Sequence, residues 1–199
     1  MMVKDPVCGM EVRDERWTTV YEEREYAFCS EGCRALFLQD PAGRLSREGE
    51  KKHYDMVIIG GGPAGLTAAV YASLQHLHAL LLAKDLGGQA VDTTRIKNYM
   101  GYELITGPEL LGKFKDQLLT QKYIEHRLDE VLRVEQTQDG FSLQTRNGSH
   151  YELPVVIVTT GDVSDGYGKR IIVAAGEGAR AALAAGAYVR ARTAHYKGR

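Results

Sequence analysis

The chain has 199 residues, is 44% hydrophobic and 26% charged, and carries a net charge of −1. That length serves one medium domain with a small module beside it. The near-neutral charge excludes a field strong enough for nucleic acid or an anionic membrane surface, and the apolar runs, such as 79–83 and 155–158, fall far short of the ~20 residues of a membrane span.

The N-terminus, Met1-Met2-Val3-Lys4-Asp5-Pro6, lacks the apolar stretch of a secretory signal, so a cytoplasmic location is expected. All three cysteines, Cys8, Cys29 and Cys33, lie in the first fifth of the chain. An odd number cannot close a set of intramolecular disulfides. In a reducing compartment such thiols read as metal ligands or redox groups. The spacing of Cys29 and Cys33 sets both on one face of a turn or helix. Soft thiolates favour Zn or Cu(I) over Mg or Ca, and three ligands leave a fourth position open. A module of about 40 residues has little core and is usually stapled, which favours a metal over a metal-free mini-fold with buried thiols. A third reading makes Cys29 and Cys33 a redox dithiol, at the upper limit of disulfide reach.

Residues 1–42 form this module, the charge-dense stretch 43–53 a linker, and 54–199 a second unit with an α/β pattern. A short apolar strand at 55–59 runs into glycines. A helix at 63–76 follows, with Leu66, Ala69, Val70 and Leu74 near one face, then a buried strand at 79–83. Thr106-Gly107-Pro108 opens a helix to about Lys122, with Leu110, Leu111, Phe114 and Leu118 at helical spacing. Segments 131–134, 140–145 and 150–153 read as three strands punctuated by Asp139-Gly140 and Asn147-Gly148. Another strand is expected at 155–159 and an alanine-rich helix at 177–192. The fold class is therefore α/β: a Rossmann-like parallel sheet with helices and a three-stranded β-meander, preceded by a small cysteine-bearing α+β module. The histidines show no ligand spacing, and His76-x-His78 reads as a helix end.

Gly60, Gly62 and Gly65 form G-x-G-x-x-G directly between a strand and a helix. The first glycine makes the tight turn, the second lets the backbone approach a pyrophosphate, and the third lets helix pack on strand. The anion then sits at the helix N-terminus, where free amides and the helix dipole favour it.

Beyond the glycines, residues 54–196 resemble the thioredoxin reductase branch of the FAD-dependent pyridine nucleotide-disulfide oxidoreductases. The resemblance rests on Gly62-Pro63-Ala64-Gly65-Leu66-Thr67-Ala68-Ala69, Gly87-Gly88-Gln89, Lys97-Asn98-Tyr99-Met100-Gly101, Ile105-Thr106-Gly107-Pro108, Thr160-Gly161-Asp162 and Arg170-Ile171, in the family's order. Lys97 and Met100 stand where the family has Glu and Pro. The resemblance implies that Gly60, Gly62, Pro63, Ala64 and Gly65 surround the FAD pyrophosphate and that Lys84 and Asp85 lie at the adenosine ribose. It puts Gly88, Gln89 and Asn98 along the ribityl and isoalloxazine, with Gly161 and Asp162 near the ribityl or pyrophosphate. Arg170 and Ile171 come to the flavin's pyrimidine edge, where a cation favours the reduced anionic ring; the other reading makes Arg170 a solvent-facing residue.

Relatives carry an NADPH domain with a Cys-x-x-Cys pair inserted between strands ending in Thr-Gly and Gly-Asp. Here residues 155–161 run straight into Asp162, and neither a second G-x-G-x-x-G after a strand nor a Cys-x-x-Cys is present. A complete thioredoxin reductase reaction is not supported. The lost strand leaves a sheet edge, and a homodimer is expected to cover it.

Asp5-Pro6-Val7-Cys8-Gly9-Met10 and Tyr26-Ala27-Phe28-Cys29-Ser30-Glu31-Gly32-Cys33 resemble the YHS/TRASH metal-binding family, which implies that Cys8, Cys29 and Cys33 share one ion. The expected function is that of a redox flavoprotein passing electrons between an external donor, a partner protein or small reductant, and the metal or thiol centre. The alternative is a non-catalytic metal-binding or sensing protein in which FAD is a structural or redox-state ligand, or a remnant that binds flavin without turnover.

Overall fold

A computed structural model describes residues 3–14, 16–45, 53–159 and 170–197. Strands β1 (Trp17–Tyr21) and β2 (Arg24–Phe28) pair antiparallel through Glu22 and Glu23. Both turn residues have positive φ, 47° and 61°, the twist that suits a two-residue hairpin. Ser30 then caps helix α1 (Glu31–Gln39), its hydroxyl accepting from the Cys33 amide. Phe37 of α1 fills the hairpin's inner face, its ring 5.1 to 6.0 Å from those of Tyr21, Tyr26 and Phe28. A short helix α2 (Pro41–Leu45) follows, inside the stretch expected to be linker. Residues 46–52 of that stretch lie outside the described part.

In the larger unit, β3 (Met56–Ile59), β4 (Ala79–Ala83), β5 (Ile124–Leu128) and β9 (Val156–Val158) form one parallel sheet in the order β5-β4-β3-β9. Its two central strands are apolar at every position because both faces are covered. Met56, Ile58, Ala79 and Leu81 join a core with helices α3 (Pro63–Leu74), α4 (Gly107–Leu119) and α5 (Ile171–Lys197). Val57, Leu80 and Leu82 face the meander of β6 (Val131–Gln136), β7 (Phe141–Thr145) and β8 (His150–Leu153), meeting Leu143 and Leu153. Cys8, Phe28, Cys33 and Phe37 belong to the same core as the helices, so the N-terminal module is packed against the larger unit.

Three features depart from the sequence reading. Helix α5 begins at Ile171 rather than near 177, because its early turns lie along α3 and bring Gly178 against the Ala64 carbonyl. Strand β5 is not evident in the sequence. Its residues Ile-Glu-His-Arg-Leu are polar because it is an edge strand, with Glu125 and Arg127 paired to each other and His126 turned to the N-terminal module. Cys29 lies outside the helix that carries Cys33, because the Ser30 cap fixes the helix start after it.

Among the described residues no strand pairs with the outer edge of β9, and no helix is long and apolar enough to cross a membrane.

Candidate functional site

The three thiols, 21 and 4 residues apart in sequence, meet at one point. Cys8 Sγ lies 3.4 Å from Cys29 Sγ, and Cys29 Sγ lies 3.9 Å from Cys33 Sγ. The edge of a tetrahedron with metal–sulfur bonds of about 2.3 Å is about 3.8 Å, so the cluster fits a thiolate-held ion without rearrangement. Cys8 and Cys33 are buried and Cys29 partly so, all unbridged.

Asp5 completes a group of four ligand atoms within 4.8 Å of one another, yet both of its oxygens already have partners. Oδ1 accepts from the Val7 amide at 2.8 Å and the Cys8 amide at 3.3 Å, while Oδ2 accepts from the Cys29 amide at 2.8 Å. Fully buried, this carboxylate ties the two segments that supply Cys8 and Cys29. The sequence carried the signal in Asp-Pro-x-Cys, where an aspartate folds back on amides two and three residues ahead.

A second neighbour arrives from the larger unit. Lys115 of α4, 3% exposed, donates to Cys29 Sγ at 3.0 Å and to Ser30 Oγ at 3.3 Å. It occupies the helix face of Leu111 and Leu118, and a lysine among leucines on a buried stripe needs an anion. Hydrogen bonds from Cys33 and Cys8, with Lys115 beside them, hold Cys29 far below the ordinary thiol range. The same sharing raises Cys8, through its hydrogen bond to Cys29, and pushes Cys33 up to about 12. Burial works against the Lys115 charge, but the three thiols outweigh it and raise its pKa. The shared hydrogen bonds and the Lys115 ammonium thus favour negative charge on Cys29 over Cys8 and Cys33.

The loop that carries Cys8 is also the loop that docks on the larger unit. The Cys8 carbonyl accepts from the Leu86 amide at 2.7 Å, and a Cβ on Gly9 would lie 2.9 Å from the Lys84 carbonyl oxygen. His126 Nε2 lies 2.9 Å from the Val7 carbonyl oxygen. Burial, with Arg44 beside it, lowers this imidazole to about 4, so it stays neutral and donates at pH 7.

Next to that loop lies a cleft of about 550 Å³ above the carboxyl ends of β3 and β4, where open parallel sheets bind ligands. The β3–α3 turn forms its floor. A Cβ on Gly65 would overlap the Gly60 carbonyl oxygen, and one on Gly61 the Asp85 carbonyl oxygen, so both positions demand glycine. Gly62 is different: it caps α3 at φ −75° with no side-chain cap bond, and a Cβ there would meet nothing within 4 Å. That open space, at the N-terminal end of a helix, is what a pyrophosphate needs.

Of the residues expected at a nucleotide, Gly60, Gly62, Pro63, Lys84, Asp85, Gly88, Gln89, Arg170 and Ile171 line this one cleft. Ala64 and Gly65 are buried beneath it. Asp85 Oδ1 accepts from the Gly88 amide at 2.8 Å and so also fixes the loop. The acid missing from the sequence reading is Glu130, which lines the cleft and bridges Lys84 Nζ and Arg146, both at 2.5 Å. No spacing motif marked it, because the meander brings it there. Asn98 is exposed and is not among the lining residues; its loop is closed by the bridge between Ile96 and Ile105. Gly161 and Asp162 lie outside the described residues.

Residues 3–44 match the YHS domain. The chain is 35% identical over 116 residues to a thioredoxin reductase of Listeria monocytogenes, covering 56% of this chain and 35% of that protein. It is 30% identical over 112 residues to an NADH dehydrogenase of Bacillus subtilis, covering 56% of this chain and 22% of that one. The crystal structure of T. acidophilum thioredoxin reductase superposes with a TM-score of 0.51 at 35% identity, over 56% of this chain and 36% of that chain. A segment that matches the YHS domain thus sits in one chain with a segment similar to part of thioredoxin reductases. The chain spans about a third of the length of the thioredoxin reductases it matches. The three thiols lie within the residues that match the YHS domain, whereas Lys115 and the Rossmann-like cleft lie outside them.

Proposed function

We propose that the chain is an FAD-binding redox flavoprotein whose YHS domain holds one soft metal ion at Cys8, Cys29 and Cys33. Electrons pass between an external donor, a partner protein or small reductant, and that centre. The observation that carries this reading is the vacant approach at Gly62, framed by glycines that tolerate no side chain. Bound FAD supplies the hydride and one-electron chemistry. Gly60, Gly62 and the first turn of α3 bind the pyrophosphate through amides and the helix dipole. Lys84 and Glu130 form the charged end of the cleft beyond β4, with Arg146 paired to Glu130. Arg170, leading into α5, brings a cation to the opposite end.

The test is Gly62→Ala. The new methyl group meets no protein atom, so the variant melts like the wild type while its flavin absorbance falls away. A variant that keeps its flavin, or a wild-type protein that takes up none after reconstitution, overturns the reading. Anaerobic titration of the holoprotein with NADPH then asks whether a nicotinamide reduces it directly.

The sensing alternative is favoured by one contact. The carbonyl of the thiol ligand Cys8 holds the loop that lines the cleft, so metal and cofactor share a structural element. A flavin inert to NADPH, dithiols and ferredoxin, whose affinity changes on metal binding, selects that alternative.

A further inference from the structure

The thiol centre is not built by the YHS domain alone. Lys115 of α4 is buried, and its ammonium reaches the Sγ of Cys29 and the hydroxyl of Ser30. Ser30 in turn accepts from the amide of Cys33, so one lysine touches one ligand and the cap that positions another. Its remaining acidic neighbour, Asp116, stands 3.7 Å away with its side chain 65% exposed, where water screens it. Asp5 is the other charge at the centre, and three backbone amides engage its oxygens.

We infer that Lys115 is a specificity-determining residue of the metal site, biasing it toward a singly charged soft cation such as Cu(I) and against Zn(II). The inference rests on the reading of the three thiols as metal ligands. Two physical arguments support it. An ion bonded to Cys29 Sγ lies no farther from the ammonium than one 3.0 Å hydrogen bond plus one metal–sulfur bond of about 2.3 Å. At that range, away from bulk water, the fixed positive charge repels a divalent ion twice as strongly as a monovalent one. The second argument is ligand number. With the Asp5 carboxylate held by amides, the described residues offer three sulfurs and no free fourth donor. Three thiolates complete the shell of a soft monovalent ion, whereas Zn(II) seeks a fourth ligand.

The experiment measures both affinities on the full chain. Cu(I) is titrated against a chromophoric Cu(I) chelator under anaerobic conditions, and Zn(II) against a zinc chelator. The proteins are the wild type, Lys115→Met, Lys115→Gln and Lys115→Arg. Removing the charge with Met or Gln is expected to move the Cu(I)-to-Zn(II) affinity ratio toward zinc by about tenfold or more, while Arg keeps the wild-type ratio. Gln retains a polar donor, so it reads the charge separately should Met disturb folding, which Trp17 emission reports. A ratio unchanged in both neutral variants, or one that moves toward Cu(I), overturns the inference while leaving the metal site in place. A wild type that binds neither ion, or a Cys29→Ser variant that binds both as well as the wild type, removes the metal reading itself and the inference with it.

Discussion

Replacing Asp5 by Asn separates a clamp from a ligand. Asp5 is fully buried and accepts three amides, two from its own loop and one from Cys29 on the far side of the module. Hydrogen bonds to a charged group contribute about 1.5–3 kcal/mol each, and a buried donor left without an acceptor costs about 1–3 kcal/mol. Asn keeps one acceptor for Val7 and Cys8 but turns an NH2 toward the Cys29 amide. The expected loss is about 2–4 kcal/mol, a large share of a typical domain's stability. Trp17 is the chain's single tryptophan and lies in β1, so its emission during urea unfolding reports on the module. The midpoint should fall with an unchanged slope. A metal-free Asp5→Asn protein that unfolds with the wild type, and loses only metal affinity, would show that the carboxylate is a ligand and refute the clamp.

Gly65→Ala should contrast with Gly62→Ala: its methyl group collides with the Gly60 carbonyl, and thermal melts should show a loss of about 1–3 kcal/mol or more. An unchanged melt would mean that the β3–α3 turn relaxes freely. His126 predicts an acid-side instability. Its folded pKa of about 4 lies below the ordinary imidazole value of 6.5, so above 6.5 neither state carries the proton and below it the unfolded chain binds one first. Stability therefore falls as pH drops from 6.5 toward 4, by up to about 3 kcal/mol. Urea midpoints with the same pH profile in wild type and His126→Gln would remove His126 from this account. The edge of β9, unpaired among the described residues, predicts a homodimer. Size-exclusion chromatography with light scattering should give twice the 22.0 kDa chain mass, and a clean monomer counts against it.

The glycine turn at the floor of the cleft was legible because its determinants are local. Gly60, Gly62 and Gly65 are close in sequence, and backbone sterics fix what they do. The strands flanking them are apolar at every position, which marks a sheet buried on both faces. Strand β5 was hidden for the opposite reason. Its side chains satisfy an edge and a docking contact instead of a core, so no period of two appears. The family resemblance marked Asp85 for a ribose, but no local pattern showed that its Oδ1 also accepts from the Gly88 amide and holds the loop.

By itself the sequence marked the groups, three clustered thiols and a glycine turn between strand and helix, and most of the elements around them, β5 excepted. Only the tertiary structure decided which distant groups share a site. Glu130 reaches Lys84 across 46 positions and Lys115 reaches Cys29 across 86. Neither pairing leaves a trace in local periodicity, because each charge lies near its partner through the packing of whole elements. For Lys115 the reason is energetic. An ammonium placed on a buried helix face must find an anion, and the docked YHS domain presents the one it found.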